Sequence, residues 1–188
     1  MTRVIAGSAK GQRLIVPDAG TRPTSDRIRE SIFARLESWN AIAEARVLDL
    51  FAGSGALGIE SLSRGAAHAA LVDSSVGAIK AVRHNLASTG LLDQASVTRQ
   101  KALAFLQQTA ENEPYELVFV DPPYAMPEDE LAAHLELLAR VVTDDATIII
   151  ERDGRSPEPA IPNGWEMLSH REWGDTAAWF AAPITSEK

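Results

Sequence analysis

A short segment with two consecutive prolines carries the side chains best suited to chemistry in this sequence. Asp121, Pro122, Pro123 and Tyr124 follow residues 115–120, a β-branched and aromatic run typical of a buried strand. Two prolines remove two backbone donors and fix φ near about −65°, so the strand would end in a stiff, extended segment. Such a segment can hold a carboxylate, carbonyl groups and an aromatic ring against a flat group that bears an amine. An ordinary exit from a strand into a loop is the alternative, since Asp and Pro are common in loops.

A glycine-rich turn upstream predicts a nucleotide-like ligand. Gly53, Gly55 and Gly58 form a G-x-G-x-x-G pattern between a predicted strand and a predicted helix, and Asp73 follows Gly53 by 20 residues, at the end of the next strand. In this pattern the backbone approaches the ligand at the glycines, and the carboxylate binds the ribose hydroxyls.

The residue that selects among nucleotides is Asp49, four residues before Gly53. A carboxylate here would repel a pyrophosphate docked on the helix N-terminus. It suits S-adenosylmethionine, which has a ribose, an ammonium and a sulfonium but no phosphate. We therefore favour the methyl donor over a nicotinamide cofactor. The alternative role for Asp49 is that of a strand-end residue that caps the turn.

The order of the predicted elements indicates an α/β protein. From residue 46 onward strands alternate with helices, which predicts a parallel sheet covered on both faces. The predicted strands are 47–51, 69–72, 95–99, 115–120 and 146–151, and the predicted helices are 56–64, 75–89, 102–109 and 128–141. After a segment rich in Pro and Gly, strands at 165–171 and 176–182 predict a terminal hairpin at an antiparallel edge.

The part of the chain before the sheet predicts a separate small unit. Strands at 3–6 and 12–16 would form a hairpin, and Ser25 or Thr24 would cap an amphipathic helix at 25–38. Arg27 and Arg29 lie off the apolar stripe of this helix, where they could face solvent or a ligand.

Composition bounds the class of protein. The chain has 188 residues, the size of one domain, and contains no cysteine. Without cysteines, and with four scattered histidines that lack metal-ligand spacing, we predict no disulfide and no metal site. No apolar run is long enough for a membrane span and no signal-peptide pattern occurs, so the predicted location is the cytoplasm.

The distribution of charge suggests a nucleic-acid partner despite a net charge of −8. Residues 1–35 hold seven basic and three acidic side chains, whereas the remaining residues hold 11 basic and 23 acidic ones. A basic segment on an acidic body is a plausible contact surface for phosphates. A solvated helix face with a charged tail is the alternative.

With these motifs together, the chain resembles the class I S-adenosylmethionine-dependent methyltransferases, and more narrowly the RsmD family of bacterial 16S rRNA guanine-N2 methyltransferases. Residues 47–58 are similar to the cofactor motif, and Asp121 to Tyr124 to the signature of enzymes that methylate planar nitrogens. The narrower resemblance rests on residues 22–33 and on the preceding residues 3–11. It implies a Rossmann-like, mostly parallel seven-stranded sheet with an antiparallel C-terminal edge strand, plus a small N-terminal β-hairpin and helix.

The resemblance also implies roles for individual residues. Residues 1–40 would be an RNA-contacting extension and residues 41–188 the donor-binding methyltransferase domain. Lys101 departs from the family pattern, which has an acid or amide there, because a lysine cannot accept a hydrogen bond from the adenine amine. The predicted donor contacts are Asp49, Ala52, Gly53, Gly55, Asp73 and Ala102. The predicted RNA contacts are Arg3, Lys10, Arg13, Arg22, Thr24 and Arg27.

The predicted reaction places all four residues of the proline segment in the catalytic site. Asp121 and the carbonyl of Pro122 would accept the two N–H groups of the exocyclic amine, and Tyr124 would stack on the base. The predicted partner is 16S rRNA, within the 30S subunit or an assembly intermediate, and the predicted state of the protein is a monomer. A DNA adenine-N6 or cytosine-N4 methyltransferase, a non-catalytic rRNA-binding assembly factor and a nicotinamide oxidoreductase are the alternatives.

Overall fold

The computed structural model describes residues 2–17 and 25–185, and in these ranges the chain forms one large and one small sheet. The large sheet has seven strands and is mostly parallel, with helices on both faces. The α/β class and the sheet predicted from the sequence are confirmed.

The elements follow one another as the sequence predicts, apart from shifts at their ends. The strands are β1 (Thr2–Arg3), β2 (Arg13–Leu14), β3 (Arg46–Asp49), β4 (His68–Asp73), β5 (Ala95–Arg99), β6 (Tyr115–Val120), β7 (Val142–Asp153), β8 (Trp165–Trp173) and β9 (Thr176–Pro183). The helices are α1 (Asp26–Ser38), α2 (Ala56–Ser63), α3 (Val76–Thr89), α4 (Ala102–Gln108) and α5 (Glu128–Leu138), and a short 3-10 turn covers Leu92–Gln94.

The strand order in the large sheet is β5-β4-β3-β6-β7-β9-β8. The order reverses at β3, because β4 and β5 lie on one side of it and β6 and β7 on the other. Ligands of open α/β sheets bind at such a switch point, beyond the carboxyl ends of the strands. The candidate site must therefore lie where β3 and β6 end.

The predicted antiparallel addition at the C-terminal edge is confirmed, and the structure adds the order of its strands. The last strand, β9, pairs antiparallel with both β7 and β8, so β8 is the outer strand of the sheet. β7 is longer than the predicted 146–151 at both ends, because Val142 pairs with Tyr115 of β6 and pairing with β9 continues as far as Asp153, opposite Thr176.

Both faces of the sheet are packed with apolar side chains. On one face, α1, α2 and α3 bury Phe33, Ile59 and Val82 in one cluster with Phe119 of β6. On the other face, α4 and α5 bury Leu106 and the leucines of α5 against the alternate residues of the same strands. A parallel sheet that is covered on both faces requires apolar side chains on both sides of each strand.

The strands of the N-terminal hairpin are shorter than predicted, because several of its backbone N–H groups donate to side chains of the helices instead of to the opposite strand. The backbone N–H groups of Ile5 and Ala6 donate to the carboxylate of Glu60 at 2.8 and 3.0 Å. The N–H of Ile15 donates to Asn85 Oδ1 at 2.9 Å. These amides would otherwise extend the β1–β2 ladder, so the hairpin is joined to α2 and α3 instead.

Helix α1 begins where the sequence predicts. Ser25 is its N-cap, and the Ser25 hydroxyl accepts a hydrogen bond from Ile28 N–H at 3.3 Å. The phenyl rings of Phe33 and Phe119 lie 5.6 Å apart between their centroids, which fixes α1 on the sheet beside β6. Thr24, the other predicted cap, lies outside the described residues.

Two further observations concern the described part of the chain. None of its helices combines the length and the apolar character needed to cross a bilayer. Within the same ranges, no three His, Asp or Glu side chains are grouped as the ligands of a metal ion would be.

Candidate active site

The parallel register brings the predicted functional residues to one edge of the sheet. Asp49, the last residue of β3, pairs in register with Phe119 of β6, so Asp121 follows just beyond it. Asp73 ends β4 on the other side of β3. Three carboxylates from distant parts of the sequence therefore line the switch point.

The glycine-rich turn is fastened to the end of β4. The N–H of Gly53 donates to Asp73 Oδ2 at 2.9 Å, and the N–H of Ser75 donates to Asp73 Oδ1 at 2.8 Å. Each carboxylate oxygen keeps a lone pair for a ribose hydroxyl. Asp73 thus shapes the loop as well as presenting an acceptor to a ligand.

At Gly55 a side chain would be strained and would crowd the core beneath the turn. The φ of Gly55 is +80°, and a Cβ would lie 3.1 Å from Leu71 and 3.2 Å from Val82. Its N–H donates to the carbonyl of Ala52 at 2.7 Å, which closes the turn tightly. The N–H of Ala52 in turn donates to Val72 of β4 at 2.9 Å. The turn is therefore held by backbone hydrogen bonds and by its packing on β4 and α3.

Asp49 is buried and only half satisfied. Its side chain is 1% exposed, and Oδ2 accepts a hydrogen bond from Gly58 N–H at 3.0 Å. Within the described residues Oδ1 has no hydrogen-bond partner. Burial raises the pKa of Asp49 to about 7, the Gly58 N–H opposes this shift, and the negative charge of Asp73 adds to it. A buried carboxylate oxygen without a partner is a strong attractor for a cation.

These residues fit S-adenosylmethionine. Asp73 can accept from ribose hydroxyls, and the exposed backbone of the turn admits a ligand at close range. The free oxygen of Asp49 suits an ammonium group, and the surrounding negative charge suits a sulfonium. A pyrophosphate would meet three carboxylates here, so a nicotinamide dinucleotide fits poorly.

The predicted adenine side of the site begins at α4. Ala102 is the first residue of this helix and is buried, whereas Lys101 is its exposed N-cap residue, in an extended conformation. The Lys101 side chain makes no capping hydrogen bond. The structure thus places Ala102 at a strand end of the same edge and leaves the Lys101 side chain at the surface.

The proline segment leaves β6 as a stiff arm. Asp121 is half-buried, Pro122 is buried, and Tyr124 is 45% exposed. The carbonyl of Pro123 accepts a hydrogen bond from Met126 N–H at 2.9 Å. Among the described residues, no hydrogen bond reaches the Pro122 carbonyl, which leaves it available as an acceptor. The exposed ring of Tyr124 offers a flat surface beside these acceptors.

The electrostatic environment of Asp121 resembles that of Asp49. Burial is the main reason why the pKa of Asp121 lies well above its usual range, and the negative charges of Glu151 and Asp49 raise it further. Glu151 is a buried residue at the end of β7, the strand next to β6. The predicted site for the methyl donor, at Asp49, and the predicted site for the amine that receives the methyl group, at Asp121, therefore lie in the same region of negative potential.

Arg152 is a buried residue that supports the proline segment and that the sequence analysis missed. Its buried guanidinium donates to the carbonyl of Met126 at 2.9 Å and pairs with Glu128. These contacts hold the far end of the segment that starts at Asp121. The sequence offered little signal, because Arg152 directly follows the predicted strand at 146–151 and lies between two acidic residues, where an arginine is usually exposed.

The predicted RNA contacts lie mostly on the N-terminal hairpin. Arg3 and Arg13 face one another in register, and both are exposed, as is Lys10 in the turn. Arg3 Nε lies 3.6 Å from Asp26 Oδ2, and this ion pair offsets part of the repulsion between the two opposed arginines. Arg27 is exposed on α1. Arg22 and Thr24 lie outside the described residues.

Arg29 corrects the expectation that it faces solvent or a ligand. Its side chain is fully buried and donates to the carbonyl of Arg3 at 2.5 Å and to Asp26 at 2.8 Å. The apolar stripe predicts only which side chains avoid water. It does not predict that a long basic side chain can be buried when it donates to a backbone carbonyl of a neighbouring element.

Three buried polar side chains that join the hairpin to the donor-binding helices were also missed. They are Glu60 and Ser63 on α2 and Asn85 on α3. Their signal was present, because position 85 falls on the same helix face as the buried Ala78 and Val82. A polar residue on an apolar face predicts a specific hydrogen-bond partner.

Comparisons with known proteins agree with this arrangement. The family model described as Conserved hypothetical protein 95 matches residues 2–182. Ribosomal RNA small subunit methyltransferase D of Escherichia coli (strain K12) is 39% identical over 173 residues, which cover 90% of this chain and 83% of that protein. The protein of the same name from Haemophilus influenzae is 32% identical over 174 residues, with 92% and 89% covered.

A solved structure shows the same similarity in three dimensions. A hypothetical protein of Thermus thermophilus superposes with a TM-score of 0.81 at 31% identity, over 96% of this chain and 98% of that one. The similarity in fold therefore extends over nearly the whole of both chains.

Proposed function

The chain belongs to the RsmD family of rRNA methyltransferases, and we propose that it methylates the exocyclic N2 amine of a specific guanine in 16S rRNA. The methyl donor is S-adenosylmethionine. The observation that carries the proposal is the position of Asp121, Pro122 and Tyr124 at the strand end next to Asp49. Hydrogen-bond acceptors for the amine therefore lie next to a carboxylate that suits a cationic methyl donor.

Orientation of the amine is the chemical problem that these residues address. The lone pair of a guanine amine is delocalised into the ring, so the amine is a poor nucleophile. We assign acceptance of one N–H to Asp121 and of the other to the Pro122 carbonyl, which favours a pyramidal nitrogen. Tyr124 stacks on the base that has left its helix. This geometry lowers the entropic cost of bringing the amine to the methyl group.

The donor supplies a methyl group activated by a sulfonium. The nitrogen lone pair forms the new N–C bond as the S–C bond breaks, and S-adenosylhomocysteine leaves. The methylated ammonium is acidic and loses its proton to Asp121 or to water. Asp121 therefore acts mainly by orienting the amine and by stabilising the developing positive charge.

We propose that residues 1–40 are the RNA-contacting extension and residues 41–188 the methyltransferase domain. Arg3, Lys10 and Arg13 present positive charge on the exposed hairpin, opposite in sign to the rest of the molecule. The substrate in this proposal is 16S rRNA within the 30S subunit or an assembly intermediate. The enzyme acts as a cytoplasmic monomer.

The decisive experiment maps modified nucleotides by mass spectrometry in rRNA from cells that lack this protein. We expect one N2-methylguanine to disappear from 16S rRNA and to return when the gene is restored. Purified protein should incorporate labelled methyl groups into small-subunit particles from those cells, and not into DNA. An unchanged rRNA modification pattern would overturn the proposal.

Substitution of Asp121 tests its role. We expect Asp121→Ala to lower kcat by at least about a hundredfold, in line with the loss of one preorganised electrostatic contact in the transition state. Binding of S-adenosylhomocysteine, measured by calorimetry, should remain within a few-fold of that of the unsubstituted protein. If methyl transfer also stays within a few-fold, Asp121 does not have the proposed role.

A further inference from the structure

A single buried side chain joins the donor loop to the N-terminal hairpin. Asn85 Nδ2 donates to the carbonyl of Ser54 at 2.8 Å and to the carbonyl of Ile15 at 2.9 Å. Its Oδ1 accepts from the N–H of Ile15 at 2.9 Å. The side chain is fully buried in α3, so no bulk water competes for these bonds.

The two segments that Asn85 joins belong to the two halves of the reaction. Ser54 lies between Gly53 and Gly55 in the turn that faces the methyl donor. Ile15 directly follows β2, which carries Arg13 on the exposed hairpin. The amide of Asn85 thus lies between the donor loop and the RNA-contacting extension and bonds to both.

Attachment of the hairpin does not by itself account for Asn85. The carboxylate of Glu60 already holds Ile5 and Ala6, and the N–H of Ala9 donates to Ser63 Oγ at 2.9 Å. Ser63 Oγ also donates to the carbonyl of Ala6 at 2.6 Å. Glu60 and Ser63 bond the hairpin from α2 without a bond to the glycine-rich turn, whereas Asn85 bonds to both.

We propose that Asn85 is a positioning residue that couples donor binding at the glycine-rich turn to the order of the N-terminal hairpin, and through the hairpin to RNA binding. The RNA half of this inference rests on the proposed function. When the donor orders the turn, the Ser54 carbonyl fixes the Asn85 amide, and the amide fixes the backbone of Ile15. The second ligand then loses less conformational entropy on binding.

The donor half can be tested without RNA, by hydrogen exchange. The reporters are the N–H of Val4, bonded to Gln12 at 2.9 Å, and the N–H of Gly11, bonded to Val4 at 2.9 Å. Asn85 bonds to neither. In the unsubstituted protein, we expect saturating S-adenosylhomocysteine to slow exchange of both amides by at least about fivefold, the lower range of typical couplings.

Two variants separate coupling from attachment. Asn85→Ala removes all three bonds, and Asn85→Asp keeps the acceptor for Ile15 N–H but loses the donors to the carbonyls of Ser54 and Ile15. In both, the effect of S-adenosylhomocysteine on exchange should vanish. Ser63→Ala is the matched control, because it loosens the hairpin and should keep that effect. A donor effect that persists in both Asn85 variants, or that is absent from the unsubstituted protein, overturns the inference.

The RNA half is tested by the affinity for S-adenosylhomocysteine with and without small-subunit particles. We expect the particles to tighten binding at least about fivefold in the unsubstituted protein and in Ser63→Ala, and less than about twofold in Asn85→Ala. Equal loss of coupling in Ser63→Ala and Asn85→Ala would contradict the inference. If no variant binds the particles, the proposed substrate is wrong, and the exchange experiment still decides the role of Asn85.

Discussion

At the scale of single residues, Asp49 shows how binding and stability oppose one another. Its carboxylate is buried and one oxygen is without a partner in the described structure, which is costly for the free protein. The same oxygen is what a cationic donor requires. The pKa is raised to about 7 because burial without a ligand destabilises the charged carboxylate relative to the neutral acid.

This conflict predicts a pH-dependent affinity for the donor. A pKa of about 7 in the free protein means that raising the pH from about 6 to about 7.5 converts Asp49 from mainly neutral to mainly charged. We expect S-adenosylmethionine to bind about fivefold to tenfold more tightly at the higher pH. Calorimetry in buffers of different ionisation enthalpy should detect proton release on binding at the lower pH. An affinity that does not change with pH would contradict the assignment.

Removal of the Asp49 charge should weaken binding and stabilise the free fold. The pKa is about 7 in the folded state and 3.8 in the unfolded reference, so the folded protein holds more protons between these values. Stability is therefore lost as the pH rises through this window. Asp49→Asn should raise Tm by about 4 °C at a pH of about 8 and by much less at a pH of about 4, measured by calorimetric melting. A lower Tm at the higher pH would contradict this reasoning.

At the scale of elements, the hairpin and α2 are packed so closely that one position admits no side chain. A Cβ on Gly7 would lie 1.7 Å from the carbonyl oxygen of Ser63, and the N–H of Ser8 donates to that same oxygen at 2.8 Å. Val4, Ala9 and Leu14 of the hairpin belong to the same apolar cluster as α1 and α2. Deletion of the whole hairpin would therefore expose the core as well as remove positive charge.

Two glycines of this hairpin form a matched pair for testing the packing. Both Gly7 and Gly11 have φ of +82°, but a Cβ on Gly11 meets nothing within 4 Å. Gly11→Ala should cost only the left-handed strain, about 1–2 kcal/mol. Gly7→Ala should lower Tm by at least about 10 °C or detach the hairpin, because the backbone of Ser63 cannot move away. Equal melting temperatures for the two variants would contradict this close contact.

At the scale of the whole molecule, charge is separated between the N-terminal segment and the rest. The body of the protein is strongly acidic, whereas Arg3, Lys10 and Arg13 are exposed on the hairpin. An acidic surface repels RNA and a basic one attracts it, so the separation orients the approach of a polyanion.

Charge reversal on the hairpin tests this orientation. Arg13→Glu should weaken binding to small-subunit particles and lower the slope of log affinity against log salt by about one. Arg140→Glu is the matched control, since Arg140 lies outside the hairpin, just after α5, in an exposed ion pair with Glu111. It changes the net charge equally and should leave the slope unchanged. Equal effects of the two variants would show that only net charge matters.

Local patterns predicted most of the fold. The strand at 115–120 and the start of α1 after Ser25 depend on side-chain alternation and capping within a few residues, and both are observed. The ends of the hairpin strands were predicted less well. Ile5, Ala6 and Ile15 bond to side chains that lie between 54 and 70 residues away, which no local pattern contains.

The sequence by itself determined the chemistry that this protein can offer. The order of Asp121, Pro122, Pro123 and Tyr124 sets a stiff strand exit with acceptors and a ring, and the spacing of Gly53, Gly55 and Asp73 sets a donor loop. These properties follow from residue type and short-range sterics.

Only the tertiary structure decided how these parts act on one another. It placed Asp49 and Asp121 in one negative field, buried Arg29 under the hairpin, and put Asn85 between the donor loop and Ile15. Each of these depends on which distant segments the sheet register and the helix packing bring within a few ångströms. Burial and charge coupling are properties of that arrangement, so they arise only when the chain has folded.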